Sequence, residues 1–232
     1  MSERRRRVEI PKLAVHDLRA GYDGVAVLFD VNFEIWPAEI VILCGGNGAG
    51  KSTLLKAIMG TVQVLGGELR LDEVRINKWP AHKRTKAGIS FSPEGRRVFP
   101  TLSVKENLHA GASHVPTSRL AERCAEVYEY FPVLGEREDQ LAGTLSGGEQ
   151  QMVAIGRALM PRPDLILVEE PSQGLAPVMV DRVYHALQRI CLDRRVSVLI
   201  TEQFQQLREN DCDRVLVIDK GTVVPYETLS RS

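Results

Sequence analysis

Gly45, Gly46, Asn47, Gly48, Ala49, Gly50, Lys51, Ser52 and Thr53 follow one another without interruption, and they fit the phosphate-binding pattern G-x-x-x-x-G-K-[ST] at every position. No other feature of the chain restricts its fold as tightly. Gly45, Gly48 and Gly50 permit a tight turn whose backbone N–H groups can face a polyphosphate. A helix beginning near Lys51 adds the positive end of its dipole. Lys51 can reach the outer phosphates, and the Ser52 hydroxyl suits a magnesium ion. The flanks agree with this reading. Ile40–Cys44 (IVILC) reads as a buried strand and Ser52–Met59 (STLLKAIM) as a helix. A nucleoside triphosphate site is expected on this strand–loop–helix unit.

At 232 residues the chain is long enough for one large domain, or a domain with a subdomain. A formal net charge of zero removes any global pull toward nucleic acid or acidic membranes. The basic run Arg4–Arg7 precedes the first strand pattern and reads as a solvated arm. No apolar run approaches the roughly 20 residues of a membrane span, and no secretion signal is visible. Cys44, Cys124, Cys191 and Cys212 lie far apart without a C-x-x-C, and Cys44 and Cys191 sit in apolar runs as reduced core cysteines do. The five histidines lack ligand spacing, so no structural metal site is expected.

Leu13–Tyr22 and Val31–Ile35 alternate apolar and polar residues like half-buried strands. Gly66-Gly67 is expected to open a short strand, Glu68–Leu71, and Lys86–Ser92 to bring the chain back into the sheet. From Thr101 to Met160 the pattern turns helical, with a stripe at Leu120, Cys124, Val127 and Phe131 that reads as core contact. Asp164–Val168, Val196–Thr201 and Arg214–Asp219 read as sheet strands, and Val178–Leu192 as a helix between two of them. Strands alternating with helices predict a largely parallel α/β sheet, with the helical block as an inserted subdomain.

Three further segments discriminate among phosphate-loop proteins. Leu145–Gln151 (LSGGEQQ) leads into a helix, so Ser146, Gly147, Gly148, Glu149 and Gln150 offer a second anion-binding surface. One chain cannot easily wrap both surfaces around one triphosphate, which points to a dimer with the loop of one subunit facing the signature of the other. In isolation the same segment also fits a flexible turn capped by Ser146. Leu165–Pro171 (LILVEEP) is a buried strand ending in Glu169 and Glu170, where acid suits magnesium and a polarised water. Adjacent strand residues point to opposite sides, so the two carboxylates can differ in role. Tyr22 could stack on a base, or simply pack at a strand end.

Along essentially its whole length the chain resembles the ATP-binding subunit of an ABC transporter. The segments SPEGRRVFPTLSVKENL (Ser92–Leu108), TLSGGEQQMVAIGRALMPRPDLIL (Thr144–Leu167), EPSQGLAP (Glu170–Pro177) and TEQ (Thr201–Gln203) resemble one of the two ATPases of importers for branched-chain amino acids and related amides. The resemblance implies a single α/β P-loop NTPase domain over residues 1–232. It would comprise a RecA-like core, an antiparallel β-subdomain and a helical subdomain over about residues 94–160. It assigns Tyr22 to adenine stacking, Gly45–Thr53 to ATP and Mg2+, and Ser146–Gln150 to the partner's ATP. Glu170 matches the general base. Glu94 falls where most of the family has a magnesium-sensing glutamine, and Gln203 where most has a histidine touching the γ-phosphate. Implied partners are a second ABC ATPase subunit, two membrane permease subunits and an extracytoplasmic substrate-binding protein, with no nucleic acid. The implied place is the cytoplasmic face of the inner membrane, peripheral through the permeases.

Glu94 and Gln203 depart from the broad family but match the narrower importer group. Glu169 departs from both, because the magnesium-associated acid there is usually aspartate. The added methylene moves the carboxylate by about 1.5 Å, and octahedral magnesium tolerates little misplacement. The resulting expectation is an asymmetric heterodimer, in which LSGGEQQ completes the partner's active site while this chain's own loop hydrolyses more slowly. Similar chains continue with a closing helix after the Gly221 turn, so the end at Ser232 is expected to leave that edge less covered. A regulatory nucleotide-binding module remains the alternative, as does a cytosolic ABC ATPase acting on ribosomes or DNA, although that class usually pairs two cassettes.

Overall fold

A computed structural model describes residues 10–226; the run Arg4–Arg7 and the end at Ser232 lie outside the described residues. Two sheets carry the fold. The first is antiparallel: β1 (Leu13–Tyr22), β2 (Val25–Ile35), β4 (Gln63–Leu71) and the short β5 (Val74–Arg75) lie in the order β2-β1-β4-β5. The second contains β3 (Ile40–Cys44), β6 (Ile89–Ser92), β7 (Leu165–Glu169), β8 (Ser197–Glu202), β9 (Arg214–Asp219) and β10 (Thr222–Pro225), in the order β10-β9-β3-β8-β7-β6. Every pairing in this second sheet is parallel except β10 with β9.

The apolar strand IVILC is continuous because both of its faces are covered, as is general for parallel sheets. Side chains alternate sides along a strand, so Ile40 and Ile42 enter one core while Val41 and Leu43 enter the other. The same alternation splits Ile166 and Val168 from Leu165 and Leu167 on β7. One core lies against α1 (Lys51–Met59) and the antiparallel sheet. The other lies against α3 (Val104–Gly111), α4 (Leu120–Tyr130), α6 (Gly147–Leu159) and α7 (Pro177–Arg194). A short α5 (Pro132–Glu136) joins α4 to the turn before α6. Thus the helical block after Glu94 sits between β6 and β7 in the chain and packs on one side of the central sheet.

Two local expectations need correction. β4 begins at Gln63, and Gly66-Gly67 lie within it rather than opening it; the ladder to β1 shifts register around Arg19, opposite Gly66. The sheet segment expected over Lys86–Ser92 starts only at Ile89, as β6, because the charged run Ala81–Lys86 forms a helix that no apolar stripe announces, α2. Its anchor is Arg84, 1% exposed, whose guanidinium donates to the carbonyls of Ala57 and Ile58 at 2.7 Å and to those of Trp79 and Asn77. A cation at these last-turn carbonyls complements the negative end of the α1 dipole. Burial lowers the Arg84 pKa to about 10, so the guanidinium stays charged at neutral pH. The helix that carries the phosphate loop is therefore fixed at its far end by a residue outside the motif.

Buried Asn107 does comparable work beyond β6. Its amide accepts from the Phe99 N–H at 2.8 Å and donates to the carbonyls of Phe99, Leu102 and Ser103. That pins the segment between Glu94 and α3 to the helical block.

Candidate functional site

The phosphate loop joins the end of β3 to α1. Gly50 takes φ 113° as it turns into the helix, a conformation that favours glycine. Gly45 is needed for a different reason: a Cβ there would stand 2.5 Å from the Ile218 carbonyl. Gly50 caps α1 without a side-chain hydrogen bond, and the first turn of α1 holds no acid. First-turn N–H groups without an intrahelical partner suit an anion, which the positive end of the helix dipole also favours.

The loop forms one wall of a cleft of about 380 Å3, lined also by Val27, Glu94, Glu170 and Gln173. Lys51 is 6% exposed and lies folded over its own loop. Its Nζ donates to the Gly45 carbonyl at 2.7 Å and to the Gly46 carbonyl at 3.1 Å, and stands 3.2 Å from Glu170 Oε1. The other oxygen, Glu170 Oε2, accepts from Gln203 Nε2 at 2.9 Å and from Gln173 Nε2 at 3.3 Å. Glu170 has φ 42°, a left-handed conformation for a residue with a side chain. Pro171 disfavours the right-handed helical alternative, and the Thr201 carbonyl holds the Glu170 N–H at 2.9 Å. Such conformations cost about 1–3 kcal/mol and persist where surrounding bonds enforce them.

Glu169 has different neighbours. It ends β7, is 5% exposed, and its Oε2 accepts from the Glu94 N–H at 3.2 Å. One carboxylate therefore faces Lys51 and Gln203 while the adjacent one holds the backbone of Glu94. Ser52 and Glu94 both line the cleft.

Several of the sequence-derived candidates do not line the cleft itself. Tyr22 ends β1 with 46% of its surface exposed and is not among the cleft-lining residues. Gln203 follows β8 and reaches the site through Glu170 rather than through the cleft wall. Ser146 to Gln150 are also absent from the lining. Ser146 caps α6 in a reciprocal box with Glu149: its hydroxyl accepts from the Glu149 N–H, and Glu149 Oε2 accepts from the Ser146 N–H at 2.8 Å. The Arg96 guanidinium packs against Gly147 and donates to the Gly174 carbonyl at 3.3 Å. Gln173 was missed as a site residue, although it lies in the EPSQGL segment next to Glu170. Its approach to Glu170 depends on the turn at residues 170–173, which has no periodicity to reveal it.

A strand–loop–helix cradle on a parallel sheet, with an acid ending the neighbouring strand, defines a P-loop nucleotide-binding fold. Comparison with known proteins narrows this class. The family model described as "ABC transporter" matches residues 28–173. The high-affinity branched-chain amino acid transport ATP-binding protein BraG of Pseudomonas aeruginosa is 40% identical over 89% of this chain and 88% of its own length. The probable branched-chain amino acid transport ATP-binding protein LivF of Archaeoglobus fulgidus is 35% identical, over 89% and 87%. Among solved structures, a nucleotide-free ATP-binding cassette from an ABC transporter superposes with TM-score 0.85 at 23% identity, covering 96% of this chain and 94% of that one. The ADP conformation of the cassette MJ1267 gives 0.82 at 25% identity, over 93% and 89%. The chain belongs to the ABC transporter ATP-binding family and is an ATP-hydrolysing subunit of it. Such subunits work at a membrane, and among the described residues no helix is long and apolar enough to cross one.

Proposed function

We propose that this chain powers uptake of branched-chain amino acids or related amides, opposite a second ATPase and on two permease subunits supplied by an extracytoplasmic binding protein. The observation that carries the hydrolytic part is the Lys51–Glu170–Gln203 cluster at the phosphate-loop cleft. BraG and LivF, by their names, support the substrate class.

In this reading the loop N–H groups and Lys51 hold the triphosphate, and Lys51 moves from the Gly45 carbonyl to the outer phosphates. Glu170 takes a proton from the attacking water, and Gln203 keeps that carboxylate oriented. Tyr22 stacks on the adenine. Ser146 to Gln150 close over the partner's triphosphate, completing a site that one chain cannot form alone.

The donors present fit Mg2+, which takes one or two carboxylates and fills its other positions with waters and phosphate oxygens. Ser52 in the cleft and Glu169 at the end of β7 would hold it, while no cluster of three acidic, histidine or cysteine ligands competes among the described residues. Bound there, Mg2+ would neutralise charge developing on the β- and γ-phosphates.

Glu169 Oε2 is engaged by the Glu94 N–H, which favours the reading that this chain's own site is the slower of the pair. Replacing Glu169 with aspartate withdraws the carboxylate by one methylene. Hydrolysis at this site is expected to rise by about threefold, roughly 0.7 kcal/mol of barrier. A single-turnover assay of the assembled complex measures this, and an unchanged or lower rate sinks the reading.

The permease is proposed to dock in a groove of about 530 Å3 between the central sheet and the helical block, lined by Phe91, Pro93, Arg97, Phe99 and Arg157. Phe99 is 47% exposed there with the Arg157 guanidinium over its ring, a surface suited to an amphipathic segment. Pro93 and Arg97, which flank Glu94 in the chain, both line this groove, which would couple docking to the nucleotide. The test is uptake of labelled leucine in cells carrying the full transporter. Deleting this chain should reduce uptake to the level of cells without the permeases, and unchanged uptake would refute the proposed cargo.

A further inference from the structure

Glu202 has no part in the reaction described above, yet four elements of the site meet at it. It ends β8 and is completely buried. Its main-chain carbonyl accepts the Gly45 N–H at 3.1 Å, tying it to the first residue of the phosphate loop. Its Oε1 accepts from the Ser172 N–H at 3.1 Å and from the Tyr184 hydroxyl on α7 at 2.9 Å. Its neighbour Gln203 donates to Glu170. The second oxygen, Oε2, has no hydrogen-bond partner among the described residues.

Burying an acid in this way is costly, whereas a leucine would be buried without that penalty. Val198, Leu199 and Ile200 of the same strand are buried as apolar residues. Packing therefore does not account for an acid at position 202; an acceptor oxygen aimed at Ser172 does. Burial pushes the carboxyl up to about 7, so a neutral side chain with the same oxygen is a fair substitute.

We infer that Glu202 is a positioning residue for hydrolysis, holding the 170–173 turn so that Glu170 stays aligned between Lys51 and Gln203. The turn is fixed at its start by the Thr201 carbonyl on the Glu170 N–H, and in its middle by Glu202 on the Ser172 N–H. Without the second bond a buried N–H is left unpaired, and the left-handed backbone of Glu170 is free to relax. Triphosphate binding should be spared, because the loop N–H groups and Lys51 are untouched. This inference rests on Glu170 as the general base.

The experiment measures kcat, KM and the affinity of a fluorescent ATP analogue in the assembled transporter whose partner ATPase carries the matching glutamate→glutamine change, so that the turnover read is that of this chain's own site. Glu202→Gln keeps the acceptor oxygen and should hold kcat within about threefold of the native value. Glu202→Leu should lower kcat about ten- to a hundredfold, with KM and analogue affinity within about twofold. Tyr184→Phe, which leaves Glu202 in place, should lower kcat by about threefold. A folded leucine variant with native kcat overturns the inference, as does a glutamine variant that falls equally far, or a loss confined to KM. If the leucine variant does not fold, Tyr184→Phe decides, and native kcat there overturns it. Glu170→Gln serves as the control. Hydrolysis surviving that change refutes the general-base reading itself, whereas its loss beside a fully active Glu202→Leu refutes only the role of Glu202.

Discussion

Replacing Lys51 with alanine is expected to lower ATP hydrolysis at this chain's site by about a hundredfold or more. It should also weaken triphosphate binding by roughly ten- to a hundredfold, the worth of a charge-assisted bond of about 1.5–3 kcal/mol. Lys51 is the cation that lines the cleft, and its ammonium bridges the Gly45 and Gly46 carbonyls to Glu170. Alanine leaves the Glu170 carboxylate facing two neutral amides only. The effect should be visible both in equilibrium titration with an ATP analogue and in phosphate release. Loss of hydrolysis with undiminished binding would show that Lys51 acts on the transition state alone.

Glu170→Gln is expected to have a comparable effect on rate and an opposite effect on binding. The amide keeps the size of the side chain and an oxygen for Gln203, but it cannot accept the proton of the attacking water. General-base catalysis contributes about 10²–10⁴-fold, and that is the loss expected at this site. Removing a negative charge 3.2 Å from Lys51 leaves the ammonium more available to the triphosphate. ATP should therefore bind at least as tightly while turning over far more slowly.

Much of this site was legible because its parts are local. The phosphate loop, the strand ending in two acids and LSGGEQQ are contiguous runs whose geometry follows from glycine freedom, strand alternation and helix dipoles. β1 has the bounds that its alternation predicts, and β9 those expected of it as a sheet strand. Arg84 was not legible, because a basic residue in the run HKRTK carries no sign that its guanidinium will be buried at the end of α1. Neither was Glu202, a single acid at the end of an apolar strand. Its significance comes from Ser172 and Tyr184, which the 170–173 turn and α7 bring to it across 30 and 18 residues of chain. The reciprocal capping of Ser146 by Glu149 was readable in principle from the S-x-x-E spacing, but it was overshadowed by the reading of the same residues as an anion surface.

In the proposed heterodimer, nucleotide is hydrolysed in two unequal composite sites: this chain supplies the slower loop and the signature that completes its partner's faster site. The direct measurement is steady-state ATP hydrolysis by the assembled transporter with Glu170→Gln in this chain, compared with the matching glutamate→glutamine change in the partner ATPase. The partner's change is expected to remove most of the turnover, and the change at Glu170 the smaller share. Equal losses from the two changes would contradict it.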